Sequence, residues 1–185
     1  MKIFRKFVKW FLNDFIIEKR PILYKKGSRC YSNTLVDSLT PQMVEIGDNF
    51  ISAPGSIIVA HDASTFLFSK KYRIEKVIIG SNVFLGANST VLPGVNIGNN
   101  VIIGAGSVVT KDIPSDSVVV GNPARIVSSV NDYIEKCIRK EVLYDVPPNF
   151  LKEYEYGIKF SQESLTEFQE YVLFQYRQKT PKNRM

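Results

Sequence analysis

A strict six-residue period in the middle of this 185-residue chain excludes most folds. Ile79, Leu85, Val91, Ile97, Ile103 and Val109 recur every six residues without a gap, and Gly80, Gly86, Gly98 and Gly104 follow four of them directly. A second row, Val83, Ser89, Val95, Val101, Ser107 and Ile113, lies four residues after each, and small or aliphatic side chains fill every position. A period of six fits neither a 3.6-residue helix nor an alternating strand. It fits a coil with three flat faces, each six residues long. The aliphatic residue of each face points inward and stacks on its equivalent one coil away. The second row fills the narrow corners, and Gly, Asn and Asp supply the unusual backbone angles of the turns. Such a repeat predicts a parallel β-helix.

The same grammar begins earlier, at Ile46-Gly47-Asp48-Asn49-Phe50, and continues through Ser52, a polar defect, to Ile58. Residues 62–76 interrupt it and Val77–Gly80 resume it, so 62–76 reads as a loop thrown out from the coil. Residues 28–45 read as a degenerate first coil, with Val44 matching the corner row. The ends differ. Residues 3–16 carry a helical stripe of Ile3/Phe4, Phe7/Val8, Phe11/Leu12 and Phe15/Ile16 that Pro21 terminates. Residues 130–140 and 163–178 read as two further helices, separated by Pro147-Pro148. The expected architecture is mainly β: residues 1–26 an amphipathic helix and linker, 27–127 the β-helix, 128–185 a helical tail.

Charge sharpens this division. Nine Lys/Arg against Asp14 and Glu18 give residues 1–29 a charge of +7, while the whole chain carries +6, so the remainder sums to −1. The basic arm has two readings. It caps the open end of the coil, the preferred one, or it lies on an anionic membrane through residues 1–20. Confinement of the charge to one arm, with no recognised binding motif, argues against nucleic acid. Cys30 and Cys137 have neither CxxC spacing nor a neighbouring histidine, so neither a zinc site nor a disulfide framework is implied. With no signal-peptide pattern, the expectation is a cytoplasmic protein, peripheral at the inner membrane face under the second reading of the arm.

The segments around this repeat resemble a known family. Ile46-Gly47-Asp48-Asn49 through His61-Asp62, and Ile79-Gly80-Ser81-Asn82-Val83-Phe84-Leu85-Gly86, resemble the active-site coil of hexapeptide-repeat O-acetyltransferases. Ile103-Gly104-Ala105-Gly106-Ser107-Val108-Val109-Thr110-Lys111-Asp112-Ile113-Pro114 resembles their CoA-binding coil, and Gly121-Asn122-Pro123-Ala124-Arg125 closes the match. The nearest branch by this resemblance is the maltose/galactoside and capsular-polysaccharide acetyltransferases, with Phe84 where many of them have Trp. The resemblance implies a left-handed coil and a homotrimer with sites between subunits. It also implies acetyl-CoA as co-substrate, a hydroxyl acceptor such as a sugar, and no metal.

His61, the only histidine, is the candidate general base. Acyl transfer from a thioester needs a group near pKa 7 that takes the acceptor proton and returns it to the thiolate. The plain alternative is a surface turn histidine. One histidine also argues against the zinc-dependent carbonic anhydrases of related fold, which need three. Its orienter is open between Asp62 and a backbone carbonyl. Ala87 and Ala105 are candidates for lying along the pantetheine, and Thr110, Lys111 and Arg125 for holding the nucleotide end of acetyl-CoA. Lys70, Lys71, Tyr72 and Arg73 could touch acceptor or CoA phosphates, with a solvated charged loop as the preferred reading. Antibiotic acetylation and a non-catalytic β-helix scaffold are the competing functions.

Overall fold

The computed structural model describes residues 24–179, so the helix expected over residues 3–16 lies outside the described residues. The chain winds as a parallel β-helix with three sheets. The first sheet stacks β1 (Lys25–Lys26), β3 (Val44–Ile46), β8 (Val77–Ile79) and β11 (Asn96–Ile97). The second stacks β4 (Phe50–Ser52), β9 (Val83–Leu85), β12 (Val101–Ile103) and β14 (Ser117–Val120), with β15 (Arg125–Ser129) added antiparallel. The third stacks β2 (Leu35–Val36), β5 (Ile57–Ile58), β10 (Thr90–Val91) and β13 (Val108–Val109).

The two sequence rows are the interior. Ile79, Leu85, Val91, Ile97, Ile103 and Val109 are all buried, and so are Val83, Ser89, Val95, Val101, Ser107 and Ile113. Removing those side chains from water is the main force that closes the coil. The turns between the first and second sheets show why Asn and Asp recur. Asn49, Asn82, Asn100 and Asp116 all have left-handed φ, between 55° and 62°. Their side chains form one ladder: Asn49 Nδ2 donates to Asn82 Oδ1 (2.7 Å), Asn82 Nδ2 to Asn100 Oδ1 (2.9 Å), and Asn100 Nδ2 to Asp116 Oδ1 (2.8 Å). These residues tolerate the angle and turn it into a bond between coils. Gly80 and Gly86 follow from close coil stacking. A Cβ on Gly86 would lie 2.4 Å from the Ala105 nitrogen.

Register locates the irregularities. Ile78 pairs with Asn96, a step of 18 residues, whereas Glu45 pairs with Ile78, a step of 33. The difference of 15 equals the length of the 62–76 excursion. That excursion leaves and returns through an antiparallel pair, β6 (His61–Asp62) with β7 (Arg73–Ile74), and carries a short helix α1 (Phe66–Ser69). The first coil is longer than the regular 18-residue step: Lys25 pairs with Glu45 and Leu35 with Ile57, steps of 20 and 22. The additional residues form the bend that places Asp37.

Helices follow the coil. Helix α2 (Val130–Arg139) packs on β14 and β15, and Ser129 caps it by accepting from the Asp132 N–H. Helix α3 (Pro148–Glu155) is an element the sequence reading did not contain; α4 (Gln162–Lys179) matches the expected 163–178. The tail returns to the first coil. There the Tyr31 ring stacks on Tyr154 and Phe160 at 5.4 and 5.1 Å, and its hydroxyl donates to the Tyr154 carbonyl (3.1 Å). No described helix is long and apolar enough to cross a membrane.

Candidate active site

The corner that follows the third sheet positions His61. Coil stacking fixes the backbone there, because Val59 N–H donates to Val91 O (3.0 Å) and Glu75 N–H to Ala60 O (2.9 Å) at the neck of the excursion. Alternation along β6 then sends His61 and Asp62 to opposite faces of the hairpin. Asp62 therefore cannot face the His61 ring; its carboxylate instead accepts from the Ser64 N–H (2.8 Å).

The partner of the ring is Asp37, from the irregular first coil. Asp37 Oδ2 lies 2.6 Å from His61 Nδ1. The same oxygen accepts from the backbone N–H of Ala60 (2.7 Å) and of His61 (3.0 Å), and Oδ1 accepts from Leu39 (2.8 Å) and Thr40 (2.7 Å). The Asp37 side chain is fully buried, while the His61 side chain keeps 23% of its surface. Burial by itself would raise the Asp37 pKa. The N–H groups of Thr40 and Ala60, the His61 ring and the Leu39 N–H outweigh burial and hold it at about 2. Asp37 is therefore ionised at neutral pH, and an ionised carboxylate only accepts. The Nδ1 facing it must carry the hydrogen. In the neutral ring that leaves the Nε2 lone pair free, the arrangement a general base requires. The sequence reading missed Asp37; a buried-polar signal was present in the lone acid among Leu35, Val36 and Leu39, but nothing local tied it to His61.

The remaining candidates fall into two groups. Ala87 and Ala105 stack on consecutive coils at the corner between the second and third sheets, where Gly106 N–H donates to Ala87 O (2.8 Å). Ala105 and Gly106 are exposed, and a Cβ on Gly106 would meet nothing within 4 Å, so backbone lies open along this edge. Thr110 and Lys111 lie on the opposite edge of the third sheet, the His61 edge, two coils beyond it. Both are exposed. Arg125 opens β15 on the last turn, exposed, with Nη1 donating to its neighbour's carbonyl at Ala124 (2.8 Å). Neither Lys111 nor Arg125 joins an ion pair among the described residues. Within one chain, Ala105 sits at the corner before β13 and Thr110 directly after that strand, so the two flank its opposite ends. The alanine edge and the His61 edge are thus separate in a single subunit.

Comparison with known proteins agrees with the repeat and the coil. A family model for the hexapeptide repeat of succinyl-transferase matches residues 76–111. Protein CapG of Staphylococcus aureus is 39% identical over 145 residues, covering 74% of this chain and 83% of its own. A galactoside acetyltransferase solved in complex with coenzyme A is 36% identical with a TM-score of 0.51, over 60% of this chain and 56% of that one. A hexapeptide-repeat acetyltransferase from Vibrio cholerae, complexed with acetyl coenzyme A, is 27% identical with a TM-score of 0.50, over 56% and 58%. The chain spans little more than half the length of these two solved proteins. Repeat, coil and relatives together show that this chain is a left-handed parallel β-helix and belongs to the hexapeptide-repeat acetyltransferases.

Proposed function

We propose that the protein transfers the acetyl group of acetyl-CoA to a carbohydrate hydroxyl, with His61 as general base and Asp37 as its positioning residue. The observation that carries this reading is the 2.6 Å contact between a fully buried carboxylate and a partly exposed imidazole. His61 Nε2 takes the proton of the acceptor hydroxyl as its oxygen attacks the thioester carbonyl. The tetrahedral intermediate collapses with cleavage of the carbon–sulfur bond, and the imidazolium returns that proton to the departing CoA thiolate. Asp37 keeps the ring in one tautomer and stabilises the imidazolium between the two transfers. Backbone N–H groups of the coil are the available oxyanion donors. Rates of CoA thiol release against sugars, oligosaccharides and antibiotics test the acceptor class. Turnover with a carbohydrate hydroxyl is expected, and turnover confined to antibiotics or amines overturns the reading.

The separation of the two edges supports a site shared between copies. The open backbone at Ala87 and Ala105 on one subunit would receive the pantetheine chain and present the thioester to His61 of another. The active protein is then expected to run as a trimer of about 63 kDa (3 × 21.0 kDa) in light scattering. Full activity at a mass of 21 kDa would remove the shared site.

Lys111 and Arg125 are assigned to the nucleotide end of acetyl-CoA, supported by their exposure and lack of ion-pair partners among the described residues. A phosphate there would gain charge-assisted hydrogen bonds. This end is remote from the reacting carbonyl, so its binding energy is nearly equal in ground and transition states. Lys111→Ala and Arg125→Ala are expected to raise the KM for acetyl-CoA about tenfold with kcat within about threefold. The penalty should shrink when the cofactor lacks its 3′-phosphate; equal penalties on both cofactors would place the cations elsewhere.

A further inference from the structure

The excursion that begins at His61 is built as a platform. Its ends are pinned by the β6–β7 pair, with His61 opposite Ile74 and Asp62 opposite Arg73. Inside it, Thr65 Oγ1 donates to Lys71 O (2.7 Å), Ser69 Oγ to Thr65 O (2.7 Å) and Lys70 N–H to Phe66 O (3.0 Å). These bonds fix the loop against itself. Strand alternation sends Tyr72 to the same face as Ile74, and so to the His61 face of the hairpin. The rings meet accordingly. Tyr72 lies 6.2 Å from His61 between centroids, and Phe66 lies 5.3 Å beyond, from Tyr72. The Lys70 ammonium lies 5.4 Å from the Phe66 centroid. Base, ring, ring and cation thus form one row, and both rings are open to a ligand, Tyr72 at 43% and Phe66 at 40% exposure.

Charge along the loop has one sign. Residues 63–73 contain Lys70, Lys71 and Arg73 and no acid. Arg73 is neutralised by its ion pair with Glu75, and Asp62 points to the other face. Lys70 forms no ion pair among the described residues. The cation at the far end of the aromatic row is therefore left for a ligand.

We infer that Tyr72, Phe66 and Lys70 form the acceptor subsite, and that it takes an anionic glycan whose negative charge lies beyond the sugar ring being acetylated. This rests on the reading of His61 as the base. The apolar face of a pyranose lies on the Tyr72 ring, as apolar C–H surface does on an aromatic face. Its hydroxyl then reaches His61 Nε2, and a carboxylate or phosphate one step along the chain meets Lys70. Both groups share the chemistry of an oxyanion facing an ammonium, and separate acceptors tell them apart.

The test uses three acceptors on one scaffold with the full-length protein: a neutral methyl disaccharide, its uronic acid, and its phosphate monoester. Wild type is expected to favour at least one charged form by tenfold or more in kcat/KM at low salt, with the gap closing as salt screens it. Lys70→Gln should abolish that preference, bringing kcat/KM for the charged acceptors down to the level of the neutral one. Tyr72→Ala should raise the KM of all three acceptors at least tenfold with the KM for acetyl-CoA within twofold, and Tyr72→Phe should recover most of the loss. Equal use of neutral and charged acceptors, or an acceptor KM indifferent to Tyr72→Ala, overturns the subsite. His61→Ala separates the two failures. If it abolishes transfer while Tyr72→Ala leaves the acceptor KM unmoved, only the subsite falls; if it retains full transfer, both readings fall.

Discussion

His61→Ala is expected to lower acetyl transfer by about 10²–10⁴-fold, the usual contribution of a positioned general base. The fold should survive, because the side chain is partly exposed on a corner outside the packed interior. The loss should appear mainly in kcat, since the ring acts on the proton in flight. Circular dichroism and light scattering should match the wild type. A variant that is folded, equally associated and within threefold of wild-type turnover would remove His61 from the chemistry.

Asp37→Asn is expected to cost both rate and stability, with separate causes. An amide turns donors toward N–H groups that now meet an acceptor. Each buried N–H left without one costs roughly 1–3 kcal/mol, and each kcal/mol lowers Tm by about 2–4 °C in a chain of this size. The rate should fall by about 10²–10⁴-fold, because the ring no longer has a fixed tautomer. The KM for acetyl-CoA should stay within about twofold, which a general loss of structure would not allow. One histidine in the chain makes a direct readout available. In ¹⁵N-histidine-labelled wild type at neutral pH, the single ring should show a protonated Nδ1 and a bare Nε2; the variant should show a mixture. The opposite tautomer in the wild type would overturn the assignment even if the variant fails to fold.

The same carboxylate sets an acid limit. Its pKa is depressed from 3.8 unfolded to about 2 folded, so the unfolded state binds the proton more readily. The stabilisation it supplies is complete above about pH 4 and is lost as pH falls through about 2. Asp37→Asn should flatten the wild-type decline in Tm across that window.

Most of the coil was legible in the sequence because a six-residue period maps residue by residue onto local geometry. Each face takes the same side-chain sizes, and each left-handed corner between Ile79 and Val109 takes Asn or Gly, so this stretch declares itself without tertiary information. The position of His61 was legible for a related reason: it sits where the period breaks. The excursion's length was also fixed by the point where the repeat resumes.

The orienter and α3 depended on the tertiary structure. Asp37 and His61 are 24 residues apart (61 − 37), on consecutive coils joined by steps of 20 and 22 that follow no repeat. Only the stacking of Leu35 on Ile57 brings the carboxylate under the ring. Asp62, the local candidate, is excluded by strand alternation, which a single residue's identity does not reveal. Helix α3 was hidden by Pro147-Pro148, read as a separator. Pro148 instead occupies the first helical turn, where proline's missing N–H has no bond to lose, and Tyr154 of the helix it starts stacks on Tyr31 of the first coil. Repeating local rules determine what the sequence states openly; a contact between two irregular segments has no local rule, and packing decides it.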